Sequence, residues 1–449
     1  MFCKNQVFLV LGVSRSGCAV SEYLISEGAR TFVFDDSISD KTRENLEKLS
    51  ARGVTVADKE NIGSVVDATD VLVISPGVPI NHAVAVKCKE KGKRIMGELE
   101  FGFSRFLPTT VAVTGTNGKT TTVSLIDSVL KAAKIEHETV GNVGVPVTSV
   151  INDCDKNTLF VAEVSSFQLE SVSSFCPHIA CILNIAPDHL ERHYSMDNYV
   201  YLKKRIFKNQ KESEYTVLNY DDLTVRGFSS QTAGKVVFVS VKEEVDGAYV
   251  KDSAIYYKGE RIIDVKDLAV KGEHNVYNAA FAIVCAKLLG VDNDSIVSGL
   301  TGFKGIKHRL EKVLEKDGVI YYNDSKSTNT ASCISAIGFM DRPFVIVLGG
   351  SEKGEKYDLL FGKIAESACR YVVITGASRY SMMKAARDAG IDNFTLSDDF
   401  DSALKVAFSF ARTGDAVLFS PACASFDRFN GYEERGEAFV KAVSEFADK

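Results

Sequence analysis

Short apolar runs that end in Gly, Ser or Asp alternate with longer helix-patterned stretches, and this alternation constrains the chain more than any other feature. The runs include 7–12, 31–35, 71–75, 111–114, 159–164, 179–184, 319–323, 344–349, 371–375 and 416–420. Strands separated by helices pair in parallel, so the pattern predicts an α/β fold of parallel sheets with crossover helices. Three blocks separate by their local pattern: residues 1–98, 99–302 and 303–449. That number suits a chain of 449 residues, long enough for two to four domains with a core each.

Composition removes several function classes. With 53 Lys+Arg against 59 Asp+Glu the formal net charge is −6, which disfavours a nucleic-acid partner. No apolar run reaches the roughly 18–20 residues that span a bilayer, and the start Met1-Phe-Cys-Lys-Asn-Gln does not read as a signal peptide. The ten cysteines are scattered singly, with no CxxC pair. Free thiols of this kind suit a reducing cytoplasm and argue against cysteine-bound zinc. A monomer is the default expectation.

The strongest motif is Val111-Ala-Val-Thr-Gly115-Thr116-Asn117-Gly118-Lys119-Thr120-Thr121. An apolar strand runs into a glycine loop, and Val123, Ile126, Val129 and Leu130 mark the helix beyond. Such a loop turns backbone N–H groups toward a phosphate at a helix N-terminus. Lys119 is expected on the β/γ-phosphates and the Thr120 hydroxyl on Mg²⁺. The spacing departs from the general G-x-x-x-x-G-K-[ST] pattern, because Val113 occupies the first glycine's place. A plain strand–helix turn is the alternative.

Three polar clusters follow. Gly141-Asn142-Val143-Gly144 is a tight turn, Glu163-Val-Ser165-Ser166-Phe-Gln168-Leu-Glu170 ends one apolar run, and Asn184-Ile-Ala-Pro187-Asp188-His189 ends the next. Ligands of parallel α/β sheets gather at the carboxyl ends of strands. Glu163 and His189 would therefore lie near Lys119 if their strands flank the loop strand. Taken singly, a strand-end Glu is an ordinary cap or ion-pair partner and a lone His is structural; together they suit a magnesium–polyphosphate site.

These segments, with Gly272-Glu-His-Asn-Val-Tyr-Asn278-Ala and Asn323-Asp324-Ser-Lys326-Ser-Thr328-Asn, occur in the order seen in the Mur ligase family, which the chain resembles over nearly its whole length. The segments 420–429 and 431–436 resemble the branch of that family that adds D-glutamate. The resemblance implies a three-domain α/β architecture: a Rossmann-like N-terminal domain, a central P-loop ATPase-like domain with a mostly parallel sheet, and a Rossmann-like C-terminal domain. It also implies a cytoplasmic, ATP-dependent ligase of peptidoglycan precursor synthesis. Its substrates would be UDP-N-acetylmuramoyl-L-alanine and D-glutamate, joined through an acyl phosphate, with Mg²⁺ at two sites.

Residue by residue, the resemblance implies the following. Arg15, Ser16, Asp35 and the loop Ser75-Pro76-Gly77 would hold the UDP part of the substrate. Gly115 to Thr121 would form the ATP loop, with Asn278 at the adenine. Thr120, Glu163 and His189 would hold magnesium, and Lys203, carboxylated by CO₂, would add a carbamate ligand. On residue pattern alone Lys203-Lys204 reads as a solvated basic pair. Asn142 and Ser165 would face the UDP-sugar. In the third block Arg309 would meet the transferred phosphate, Asp324 the ribose, and Lys326 would place a positive charge near the site. Lys353 would hold the incoming amino acid's carboxylate, with Thr328, Ser425, Phe426 and Tyr432 around it. Asp188 and His189 would orient or deprotonate the amine, with the base unassigned. The family usually has Asp where Glu352 stands, and often Asp at Lys356. Gly302 and Gly305 mark the hinge about which the third block is expected to close.

Three rivals remain: a sister ligase of the same family, a P-loop regulatory ATPase, and a dinucleotide-dependent oxidoreductase. The last is disfavoured because Ser14 replaces the middle glycine that lets a backbone approach a pyrophosphate.

Overall fold

The computed structural model describes residues 3–37, 39–155, 157–352 and 356–447. Two compact units emerge, Met1–Phe303 and Lys304–Lys449.

The first unit contains two sheets. The N-terminal sheet comprises β1 (Val7–Leu11), β2 (Arg30–Phe34), β3 (Thr55–Val56), β4 (Val71–Ile74) and β5 (Arg94–Gly97), in the order β3-β2-β1-β4-β5 and wholly parallel. Strand β4, Val-Leu-Val-Ile, is buried at every position, as expected of a strand covered on both faces. At the turn after β1, Gly17 packs so closely that a Cβ there would lie 1.9 Å from the Gly12 carbonyl oxygen. Gly12 and Gly17 thus keep the tight strand–helix geometry although Ser14 stands between them.

The central sheet has nine strands: β6 (Thr110–Thr114), β7 (His137–Gly141), β8 (Leu159–Glu163), β9 (Ile179–Ile182), β10 (Tyr215–Asn219), β11 (Lys235–Ser240), β12 (Gly247–Lys251), β13 (Ala254–Tyr257) and β14 (Glu260–Asp264). Their order is β14-β13-β12-β11-β10-β9-β6-β8-β7. Only β12-β13 and β13-β14 pair antiparallel. This hairpin edge is absent from the run-by-run reading, because short half-buried strands carry no continuous apolar stretch. Helices Lys119–Ala132, Glu273–Leu288 and Asn293–Thr301 cover one face around Val123, Ile126, Phe281 and Ile296; Phe103, Phe160, Phe175 and Phe207 fill the other.

The second unit holds β15 (Glu311–Lys316), β16 (Val319–Asn323), β17 (Phe344–Gly349), β18 (Cys369–Thr375), β19 (Phe394–Leu396) and β20 (Ala416–Phe419), ordered β15-β16-β20-β17-β18-β19. Edge strand β15 alone runs antiparallel. Helices Thr330–Phe339, Asp358–Ala365 and Arg379–Asp388 cover one face, Phe400–Phe410 and Tyr432–Ala447 the other. Three parallel-rich sheets with helices on their faces make the chain α/β.

The helix Glu98–Arg105 bolts the two sheets of the first unit together. Its Phe101 packs in the N-terminal core while Leu99 and Phe103 pack in the central one. Two buried carboxylates complete the bolt. Glu100 accepts from the backbone N–H groups of Ser173, Ser174 and Phe175 at 3.0, 2.8 and 3.0 Å. Glu98 accepts from the Thr148 N–H at 2.8 Å and its hydroxyl at 2.9 Å, while its second oxygen is buried without a partner.

Burial raises the Glu98 carboxyl from 4.5 to about 7, against the opposing Thr148 hydrogen bonds. Between those values the folded protein keeps a proton that the unfolded chain has released. The unfolded state then binds fewer protons, so stability falls as pH rises through that window and levels off above it. The full span is worth about 3 kcal/mol. Glu98→Gln should remove that component, giving urea midpoints at pH 5 and pH 7.5 that differ less than in the wild type. An undiminished pH dependence in the variant would assign it to other groups.

Candidate functional site

Strand β6 lies between β8 and β9, with Val113 beside Glu163 and Thr114 beside Ile182. The loop 115–118 therefore leaves the sheet between two strand ends that carry Glu163 and Asn184. The helix beyond it starts at Lys119, and Gly118 adopts φ +86° as its N-cap. A Cβ at Gly118 would lie 2.5 Å from Asn278 Oδ1, so this position is closed to a side chain by both backbone conformation and space.

The loop is braced from below. The Asn184 amide accepts from the Asn117 N–H at 2.8 Å and donates to the Asn117 carbonyl at 3.1 Å. The Thr116 N–H donates to the Asn184 carbonyl at 3.0 Å, and the Thr116 hydroxyl lies 3.0 Å from the Tyr199 hydroxyl. Lys119 Nζ donates to the carbonyls of Gly115 and Thr116 at 2.8 and 2.7 Å, curling over the loop it belongs to. Thr120 and Thr121 are buried in the first helical turn.

Glu163 is 1% exposed. One oxygen accepts from Asn142 Nδ2 at 2.7 Å, and Oε2 has no hydrogen-bond partner. Lys203, on the helix Met196–Lys204, is also 1% exposed and donates to the Gly115 carbonyl at 2.8 Å and the Thr114 hydroxyl at 3.2 Å. The solvated basic pair suggested by pattern alone is thus divided: Lys203 is buried, whereas Lys204 is half-buried and donates to Gln231 Oε1 at 2.8 Å. Burial, reinforced by the nearby Lys119 charge, drives the Lys203 amine well below its ordinary value, while Asp188 and Glu163 pull it up. Burial of this kind favours the uncharged form of an amine.

His189 stands at the N-cap of the short helix Leu190–His193 with φ +52°, a sparsely populated conformation for a non-glycine residue. Its ring lies 3.6 Å from Asp188 Oδ2, 3.5 Å from Glu191 Oε1 and 4.9 Å from the Phe167 ring centroid. Ser165 caps the helix Ser166–Leu169 in a reciprocal pair with Gln168, so its hydroxyl is already engaged. Asn278 is buried behind the loop, accepting from the Thr122 hydroxyl at 3.1 Å and donating to Asn275 Oδ1 at 3.0 Å.

In the N-terminal sheet, Arg15 donates to the Gly144 carbonyl, with Ser16 beside it in the first turn of the helix Arg15–Ser26. Asp35 accepts from the N–H groups of Val13 at 2.9 Å and Ser37 at 3.0 Å. The Ser75 hydroxyl donates to the Gly12 carbonyl at 2.8 Å, and Pro76 and Gly77 continue that loop outward.

The second unit gathers its own cluster. Lys326 Nζ donates to the Tyr432 hydroxyl at 2.9 Å and sits 4.7 Å from that ring's centroid. Asp324 is buried, accepting from the hydroxyls of Ser327 and Ser420 at 2.5 and 2.7 Å and the Leu310 N–H at 3.2 Å. Burial raises its carboxyl, with Arg309 opposing. The Arg309 Nε is buried without a hydrogen-bond partner. Thr328 is half-buried, Ser425 buried and Phe426 exposed. Lys353 lies outside the described residues. Cys423 is buried with its Sγ 3.3 Å from the Tyr357 hydroxyl.

Asn184, Tyr199 and Arg435 are structural contributors to which the sequence reading gave no individual role. Arg435, 2% exposed, donates to the Ser325 hydroxyl at 3.1 Å and to the carbonyls of Cys423 and Ser325 at 2.9 and 2.8 Å. Burial lowers it to about 10. It pins the loops after β16 and β20 to one point. Asn184 alone had a usable signal, an amide at a strand end next to a phosphate loop.

Among the described residues no three His, Cys, Asp or Glu side chains gather into a metal-binding group. The open oxygen of Glu163, at the end of the strand next to β6, fits a hard cation whose remaining ligands are phosphate oxygens and water.

The chain matches three family descriptions in sequence: the Mur ligase MurD-like N-terminal domain over residues 6–97, the Mur ligase middle domain over 113–286, and the Mur ligase glutamate ligase domain over 308–423. It is 38% identical over 452 residues to the UDP-N-acetylmuramoylalanine--D-glutamate ligase of Thermoanaerobacter sp. (strain X514), covering 99% of both chains. The enzyme of that name from Clostridioides difficile (strain 630) is 36% identical over 449 residues, again with 99% of each covered. Among solved structures, the UDP-N-acetylmuramate-alanine ligase of Thermotoga maritima shares the fold, with a TM-score of 0.65 at 19% identity over 98% of this chain and 99% of that one. Full-length likeness at this level, on a fold and a phosphate loop of this geometry, shows that the chain belongs to the Mur ligase family.

Proposed function

We propose that this protein joins D-glutamate to UDP-N-acetylmuramoyl-L-alanine with ATP, releasing ADP and phosphate, as a cytoplasmic step of peptidoglycan precursor synthesis. Family membership supports ligation and the use of ATP. The two full-length relatives, both named for D-glutamate ligation, support the choice of amino acid. The single observation that carries the site assignment is the phosphate loop on β6, flanked by the buried carboxylate Glu163 and underlain by the buried amine Lys203.

The chemistry asks for two anions to meet. A free carboxylate oxygen of the UDP-sugar substrate attacks the γ-phosphorus of ATP, and the bond to ADP breaks. The D-glutamate amine then attacks the acyl carbon, and phosphate leaves with the bonding pair. Lys119 would leave the loop carbonyls for the β/γ-phosphates, while the N–H groups at the start of its helix bind phosphate oxygens. Arg309 would offset charge on the transferred group. Thr120, Glu163 and His189 would hold magnesium, and Lys203 as a carbamate would help to hold a second ion. These ions would supply charge neutralisation between the two reactants. The depressed Lys203 amine supports carbamate formation, since only a neutral amine combines with CO₂.

Arg15, Ser16, Asp35 and the loop 75–77 are assigned to the UDP portion, Asn142 and Ser165 to the sugar-peptide portion, and Asn278 to the edge of the nucleotide site. Asp324 is assigned to the ribose. Lys326 is assigned a positive charge near the site, and Thr328, Ser425, Phe426, Tyr432 and Lys353 are assigned to D-glutamate. Asp188 and His189 orient the attacking amine.

Mass detection of UDP-N-acetylmuramoyl dipeptide from ATP, D-glutamate and the monopeptide precursor tests the whole reading; nucleotide consumption without the amide product would refute it. Lys119→Ala should abolish product while the thermal transition stays near that of wild type. Gly118→Ala forces a Cβ onto Asn278 and a left-handed alanine, strain of about 1–2 kcal/mol. It should weaken ATP binding by about tenfold or more in calorimetry.

A further inference from the structure

The segment carrying Asp188 and His189 is tied down by a side chain with no role so far. Arg192 Nε and Nη2 donate to the two oxygens of Glu170 at 3.1 and 2.6 Å. The pair is largely buried, with side chains 15% and 10% exposed. Nη2 also donates to the Val78 carbonyl at 3.0 Å, and Nη1 reaches the Gly77 carbonyl at 3.5 Å. The guanidinium carbon lies 5.1 Å from the centroid of Phe167, the ring that packs on His189. A small cleft lined by Ser75, Pro76, Ile80, Phe167, Glu170 and Ser171 lies at the same junction. One guanidinium thus grips the loop after β4, the short helix after β8, and the backbone that presents His189.

We propose that Arg192 is a positioning residue that sets the span between the loop at residues 75–78 and His189, and so aligns the two ends of the UDP-sugar substrate. The proposal rests on the substrate assignment above. A substrate held at its nucleotide end by one sheet and phosphorylated at its other end beside a second sheet needs those loops in fixed register. Displacement by about 1 Å can cost on the order of 100-fold in rate. The fork of an arginine serves here because it meets a carboxylate with two donors and still reaches carbonyls, which a lysine's single ammonium does not reproduce.

The test uses the full-length R192A and R192K variants with UDP-N-acetylmuramoyl-L-alanine, ATP and D-glutamate. R192A should raise KM for the UDP-sugar at least tenfold and lower kcat, R192K should lie between it and wild type, and KM for ATP should stay within twofold. E170Q, which keeps the shape of the clamp, should show a smaller rise. An unchanged KM for the UDP-sugar in R192A would overturn the proposal. Equal losses toward ATP and UDP-sugar would also overturn it, since they would mark a residue that only maintains the fold. Calorimetric affinity for UDP-N-acetylmuramoyl-L-alanine scores the clamp apart from ligation. A wild type that binds this compound yet forms no amide refutes the ligase reading alone, whereas one that does not bind it refutes both.

Discussion

The placement of β6 between β8 and β9 decides where every charged group of the central site stands. Parallel pairing puts the carboxyl ends of three neighbouring strands on one edge. The phosphate loop leaves from the middle strand, Glu163 closes one neighbour, and Asn184 follows the other. Asn184 then holds the Asn117 backbone from both sides through its amide. These contacts commit the Asn117 and Thr116 N–H groups to the protein. The loop is organised by its neighbours before any ligand arrives, which is how a binding site avoids the entropic cost of ordering itself.

Burying charge is costly unless it is partnered, and the chain does so at several positions around its two clusters. Each is resolved differently. Glu100 is satisfied by three backbone N–H groups. Asp324 spends its oxygens on hydroxyls and one N–H. Arg435 replaces a carboxylate partner with carbonyls and a hydroxyl. Lys203 donates to the Gly115 carbonyl and the Thr114 hydroxyl while burial pushes its amine toward the uncharged form, and Glu163 keeps one oxygen open. The first three groups fasten loops. The last two stand beside the phosphate loop, one donating to its Gly115 carbonyl and the other ending the strand next to β6.

The bolt formed by the helix Glu98–Arg105 explains why the two sheets of the first unit behave as one compact body. Its apolar residues serve two cores at once, and its two acids reach segments 50 and 73–75 residues away in sequence. Arg15 and Arg192 add polar ties across the same junction, one to the Gly144 carbonyl and the other from the His189 side to the Val78 carbonyl.

By itself the sequence determined the α/β class, the positions along the chain of ten of the strands, the strand–loop–helix at 111–132 and the polar strand ends at Glu163 and at Asn184 to His189. These are local patterns: a run of apolar residues, a glycine spacing, a residue type at a run's end. The parallel strands β10 and β11 escaped, and so did the antiparallel edges β12-β13-β14 and β15, whose residues are half-buried and lack a continuous apolar signature. Only the tertiary structure decided that Glu98, Glu100 and Arg435 turn inward, that Lys203 is buried while its neighbour Lys204 is not, and that Arg192 reaches a loop 114 residues earlier in the chain. Burial and partnership of a charged side chain depend on which distant segment meets it, and that information resides in the pairing order of the sheets and not in the spacing of residues along the chain.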